Sequence, residues 1–80
     1  MVELNDPIQA GVLFAGSQVR PVWFRWRGRT VRVQKVTFRW CSMQGRERLS
    51  HFSVTDGTNL FELTFHAQGL TWRLTKADGF

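Results

Sequence analysis

The chain has 80 residues, a formal charge of +5, seven Phe, four Trp, one Cys and no Tyr; this length makes one small domain whose core must come from a few large side chains. A single cysteine excludes an internal disulfide framework, and no apolar run approaches the ~20 residues of a membrane-spanning helix. The acidic start Met1-Val2-Glu3-Leu4-Asn5-Asp6-Pro7 is no secretory signal, so a cytoplasmic protein is expected.

The charge is unevenly spread. Arg20 to Arg48 holds nine Lys/Arg and one acid, Glu47, for a net +8, while residues 1–19 carry −2 and residues 49–80 carry −1. Such asymmetry calls for an anionic partner, with nucleic acid first and an acidic protein surface second. A membrane is not expected, because the basic stretch lacks the helical period of an amphipathic anchor.

Taken in chain order, residues 1–6 read as a flexible lead-in to a single β domain over residues 7–80. Ile8, Ala10, Val12 and Phe14 fall at even positions and predict a first strand that ends at Ala15-Gly16-Ser17. The run Val22-Trp23-Phe24-Arg25-Trp26-Arg27-Gly28-Arg29-Thr30-Val31-Arg32-Val33 alternates large apolar residues with cations, the period of a strand with one buried face. Pro21 stands early in this strand, where a missing N–H does least harm. A Gly-first turn at Gly28-Arg29 makes it a hairpin. Trp26 then faces Val31 and Phe24 faces Val33 on the inner side; Arg25 faces Arg32 and Trp23 faces Gln34 on the outer side. The apolar phase changes from odd at Val31 and Val33 to even at Val36, Phe38 and Trp40, which predicts a β-bulge near Gln34-Lys35. Small barrels use such bends to close a sheet on itself.

Cys41 to Arg48 reads as a polar connection containing Gly45. Phe52 and Val54 mark a fourth strand, and Asp56-Gly57-Thr58-Asn59 a turn. Phe61, Leu63 and Phe65 mark a fifth strand, and Leu70, Trp72 and Leu74 a sixth. The expected fold is all-β: a six-strand antiparallel meander, bulged and curved into a small barrel-like sheet, with Trp26, Phe38, Trp40, Phe52, Phe61, Phe65 and Trp72 in the core.

The candidate site is the outer face of the basic hairpin. Trp23 is suited to stack a base, as aromatics on basic sheets do in single-strand binders. Arg25, Arg27 and Arg32 are placed to hold phosphates, and Arg29, Lys35 and Arg39 extend the electrostatic track. The bland alternative is that arginine stems and guanidinium planes merely cover neighbouring aromatics. His51, His66 and Cys41 match no common metal spacing. His51 facing Glu62 across a strand pair is more simply a surface contact than an acid–base pair. Ser50, Ser53 and Cys41 stand in no nucleophile elbow, and no phosphate-cradling glycine loop is present.

The run from Pro21 to Val33, followed by Val36 and Trp40, resembles a family of small bacterial β domains of unknown function with the pattern P-x-x-F-x-W-x-G-R-x-(Y/V)-x-V-x-x-V-x-x-x-W. The likeness continues through Phe52-Ser53-Val54, Phe61-Glu62-Leu63 and Trp72-Arg73-Leu74. The family often has Tyr where this chain has Val31, His51 or Phe61. Some members are associated with DNA-repair polymerases, so the resemblance implies a nucleic-acid role and no catalytic residues. The expected function is non-catalytic binding of single-stranded or irregular nucleic acid, with no metal and no cofactor. The alternative is a protein-interaction or homodimerisation module, docked through a strand edge or the Trp23 patch.

Overall fold

The computed structural model describes residues 1–78, and among these every regular element is a strand. The strands are β1 (Val2–Ala15), β2 (Gln18–Trp26), β3 (Arg29–Arg32), β4 (Lys35–Gln44), β5 (Glu47–Thr55), β6 (Leu60–His66) and β7 (Thr71–Ala77). They form one antiparallel sheet in the order β3-β2-β1-β7-β6-β5-β4.

Two expectations are corrected at the ends of this order. The described residues form seven strands rather than six, because the long third strand breaks at Val33-Gln34. β3 and β4, at opposite ends of the order, share no ladder, so the sheet is not a closed barrel. It is nevertheless strongly curled. Val33 and Gln34 are all that separates the two edge strands, and the step from Arg32 to Lys35 spans at most about 11 Å. The same dipeptide bonds both sides of the curl: Val33 N–H donates to Val22 O at 3.0 Å, and Gln34 N–H donates to Thr55 O at 2.8 Å.

The expected lead-in is also corrected. Val2 pairs with Ala77 and Glu3 with Lys76, so residues 2–6 are strand, anchored on β7. Of the expected domain span, residues 79–80 lie outside the described residues.

The concave face holds the core. Phe24, Trp26, Phe52, Val54, Phe61, Leu63, Leu74 and Ala77 are buried, with Leu4, Ile8, Ala10, Val19, Val31, Val33, Val36 and Trp72 packed against them. Phe24 and Phe61 meet edge to face at 5.1 Å, a geometry that favours aromatic pairs beyond area alone. These are the alternate residues the apolar period selects in β2, β5 and β6.

Phe38 and Trp40 depart from that period. A bulge between Val36 and Phe38 leaves Thr37 without a ladder partner, and its hydroxyl donates to Ser53 O at 3.1 Å. One extra residue moves every later side chain to the other face. Arg39 therefore takes the inner position opposite Phe52, while Phe38 (64% exposed) and Trp40 (36%) stand outside. Phe65 is half-buried, its ring 5.0 Å from that of Trp72. Leu70, expected inside, lies in the β6–β7 turn at φ 54° and is 76% exposed. The Asp56 turn forms as expected: Asp56 Oδ1 accepts from the Thr58 and Asn59 N–H groups at 2.9 and 2.7 Å. Those bonds hold its carboxyl below the usual carboxylate range.

Candidate functional site

The basic hairpin turns one residue earlier than the sequence suggests, which moves the pairing by two. Trp26 pairs with Arg29, Arg25 with Thr30, Phe24 with Val31 and Trp23 with Arg32. The turn is Arg27-Gly28, with φ of 51° and 78°, the double positive φ of a type I′ turn. The arginine gains partners there. Arg27 Nη2 reaches Asp6 Oδ2 at 3.2 Å, its guanidinium lies 4.8 Å from the Trp26 ring centroid, and Trp26 Nε1 donates to the same Asp6 oxygen at 2.8 Å. The shift also removes the direct Arg25–Arg32 opposition, which like charges disfavour. Because it moves the pairing by two residues, both faces keep their side chains.

Trp23, Arg25 and Arg32 accordingly share the outer face. With Gln9, Val22 and Thr30 they line a concavity of about 450 Å³, within the ~300–1,000 Å³ range of small-ligand sites. Trp23 is 37% exposed and lies against Gly11, its register partner on β1. A Cβ at Gly11 would stand 2.0 Å from Trp23 Nε1 and 2.3 Å from Cε2. Glycine thus lets the indole rest on the β1 backbone. Val22 is the extra residue of the β1–β2 register shift between Gly11 and Val12, which places it on the wall of this hollow. Arg25 and Arg32 have no hydrogen-bond or ion-pair partner among the described residues, and no carboxylate lines the hollow.

The other four expected cations lie elsewhere. Arg27 is held by Asp6. Arg29, opposite Trp26, faces a small cavity of about 100 Å³ with Val31, Asp56, Asn59, Phe61 and Asp78. Lys35 opens β4 opposite Thr55. Arg39 crosses from β4 to β2, its Nη1 donating to Val19 O at 3.0 Å and its guanidinium 5.5 Å from the Phe52 ring centroid. Of the six expected cations, Arg25 and Arg32 line the hollow with Trp23, and the other four lie outside it.

Gln9, Gly11, Val22 and Thr30 were missed by sequence reasoning. Gly11 carried a signal, since a glycine inside a strand pattern marks close approach of another group. Gln9 is the polar alternate between Ile8 and Ala10. Val22 had no signal, because its place depends on the register shift.

A second polar cluster lies on the outer face of β4–β7. His51 pairs with Thr64, and Glu62 with Ser53, so the direct His51–Glu62 contact is corrected to an indirect one. Thr75 Oγ1 donates to Glu62 Oε2 at 2.7 Å, Thr64 and Thr75 hydroxyls meet at 3.0 Å, His51 Nδ1 meets Thr64 Oγ1 at 3.0 Å, and Ser42 Oγ meets His51 Nε2 at 2.7 Å. A carboxylate only accepts, and each hydroxyl has one proton. The directions follow along the chain: Thr64 donates to Thr75, His51 Nδ1–H donates to Thr64, and Nε2 accepts from Ser42. Thr64 is buried and fully partnered, as a satisfied polar network requires. Burial holds the His51 pKa below the usual imidazole value, against the pull of Glu62. Its ring stacks on Trp40 at 5.0 Å, and Trp40 packs on Phe38 at 5.4 Å. Because the Trp40 ring stacks on a protein neighbour, this column offers a base less than Trp23 does.

Among the described residues, no group of three or more His, Cys, Asp or Glu is arranged to hold a metal ion, and no helix is long and apolar enough to cross a membrane. Fold and site together define the class: an all-β domain of one curled antiparallel sheet with a basic, aromatic hollow on its convex face. Comparison with protein-family models, with curated proteins and with solved structures finds no match, so the functional reading rests on the geometry of the site.

Proposed function

We propose that this domain is a non-catalytic binding module for single-stranded or irregular nucleic acid, and that it grips about one nucleotide unit in the hollow between β1, β2 and β3. The observation that carries this reading is the convergence of one indole with two unpartnered arginines around a single concavity. A base stacks on the side of Trp23 turned away from Gly11, a contact of about 1–3 kcal/mol that tolerates any base. Arg25 and Arg32 hold the flanking phosphates by charge-assisted hydrogen bonds. The Gln9 amide and the Thr30 hydroxyl supply donors and acceptors for a base edge or sugar. A duplex is disfavoured, because its bases are stacked and closed to an indole lying flat on a strand.

The deciding measurement is a titration of labelled oligo-dT and oligo-U at low and moderate salt, with chemical shifts followed by residue. Binding is expected at low salt, with the largest changes at Gln9, Gly11, Trp23, Arg25, Thr30 and Arg32. Absence of binding to either oligonucleotide at low salt overturns the proposal.

A further inference from the structure

A different part of the molecule carries an interaction surface. The Val33-Gln34 dipeptide bridges β2 and β5 only at one end of the curl. Beyond it, residues 18–21 of β2 and residues 37–44 of β4 are paired on one side only, β2 with β1 and β4 with β5. Between these edges lies a slot of about 300 Å³ whose walls include Val19, Arg39, Trp40 and Phe52. The edges are too far apart for a 4.7–4.9 Å ladder, and the Arg39 side chain crosses between them to Val19 O.

The two edges are unequal. Gln44 and Glu47 flank the two-residue turn Gly45-Arg46, and such a flanking pair is hydrogen-bonded. By alternation Ser42 and Trp40 also bond β5, whereas Arg39, Cys41 and Met43 turn their N–H and C=O groups to the open edge. That makes three consecutive donor–acceptor pairs about 6.8 Å apart, a template for one added strand. On the β2 side only Val19 and Pro21 point outwards by the same alternation, and Pro21 has no N–H to give. An added strand therefore pairs with β4.

Charge selects the occupant. Arg39 lines the slot, Arg46 stands in the β4–β5 turn and Arg48 Nη2 reaches Cys41 Sγ on the slot wall at 3.6 Å, while Glu47, beside that turn, is engaged by His66 at 3.2 Å. A second copy of this +5 chain would bring like charge against like charge, whereas an acidic segment is steered in. We propose that the open edge of β4 binds an extended acidic peptide by strand addition, with alternate apolar side chains of the peptide resting on Trp40 and Phe38 or on Met43. This site is separate from the Trp23 hollow and does not depend on it.

The test uses a short peptide alternating Glu and Val, its Lys–Val counterpart and oligo-dT, each added to the whole protein. Glu–Val is expected to bind and to slow hydrogen exchange at the Arg39, Cys41 and Met43 amides, while Lys–Val binds at least about tenfold more weakly. Arg39→Glu should weaken Glu–Val binding about tenfold or more. Cys41→Pro removes an edge donor without touching the β4–β5 ladder and should abolish the protection; circular dichroism identifies any variant that fails to fold, and the Arg39→Glu result then decides. Trp23→Ala should leave peptide binding unchanged, which separates failure here from failure of the nucleic-acid reading. Four results overturn the proposal: equal binding of the two peptides, no binding of Glu–Val, protection of the same amides by oligo-dT, or concentration-dependent dimerisation that protects them without peptide.

Discussion

The indole of Trp23 lies on the backbone of Gly11, its register partner, so closely that a Cβ at Gly11 would stand 2.0 Å from Trp23 Nε1. One strand thus positions the aromatic of the next. Gly11→Ala must displace the indole, at a cost of about 1–3 kcal/mol. It should shift the Trp23 emission and lower oligonucleotide affinity as far as Trp23→Ala does, by roughly tenfold or more. Trp23→Ala itself should change stability by less than the glycine variant. Fluorescence titration and denaturant midpoints of both variants check this.

Only two of the six cations expected to form the track border the hollow, and this sets the salt dependence. Two neutralised phosphates give a slope of log K against log salt near −1.4, whereas six would give about −4. Arg25→Ala and Arg32→Ala should each weaken binding and flatten that slope by about 0.7. Arg27→Ala, which removes a contact to Asp6, should leave the slope unchanged. Affinities at three or more salt concentrations decide it.

The phase change at Thr37 predicts opposite outcomes for two phenylalanines. Phe24 is fully buried, so Phe24→Ala should cost about 3–5 kcal/mol. Phe38 is 64% exposed, so Phe38→Ser should cost well under that, within about 0.5–1 kcal/mol. Urea unfolding of the two variants is the check, and a comparable loss at Phe38 would place it in the core.

His51 supplies a pH signature. Its folded pKa is lowered, chiefly by burial, so the unfolded chain takes up the proton first as pH falls. The folded state is therefore fully favoured above the ordinary imidazole pKa of ~6.5 and loses stability as pH drops below it towards the lowered folded value. His51→Gln should remove the part of this dependence that His51 causes, visible as a smaller difference between urea midpoints at pH 7.5 and pH 5.5. An unaltered difference would mean that another group drives it.

Much of the fold is legible in the alternation of apolar residues. Phe24 and Trp26, Phe52 and Val54, and Phe61 and Leu63 all face inward as their period of two requires, because a pleated strand offers one side to the core. The Asp56 turn is legible for a similar local reason: a short carboxylate caps its own backbone. What escapes such reading depends on partners distant in sequence. The Arg27-Gly28 turn prevails over Gly28-Arg29 because Asp6 and Trp26 receive the arginine there. Phe38 and Trp40 leave the core because the bulge falls after Val36 rather than near Lys35.

The sequence by itself determined an all-β chain, a basic hairpin with distinct inner and outer faces, and the sharing of the outer face by Trp23, Arg25 and Arg32. Those features follow from residue type and from a side-chain period that survives a register shift of two. Tertiary structure alone decided which cations remain free, that Gly11 seats the indole, and that β3 and β4 end as separate edges of a curled sheet. Each of these depends on the point where the ladder gains an extra residue and on which strand lies across from it, and neither is encoded in any one short segment.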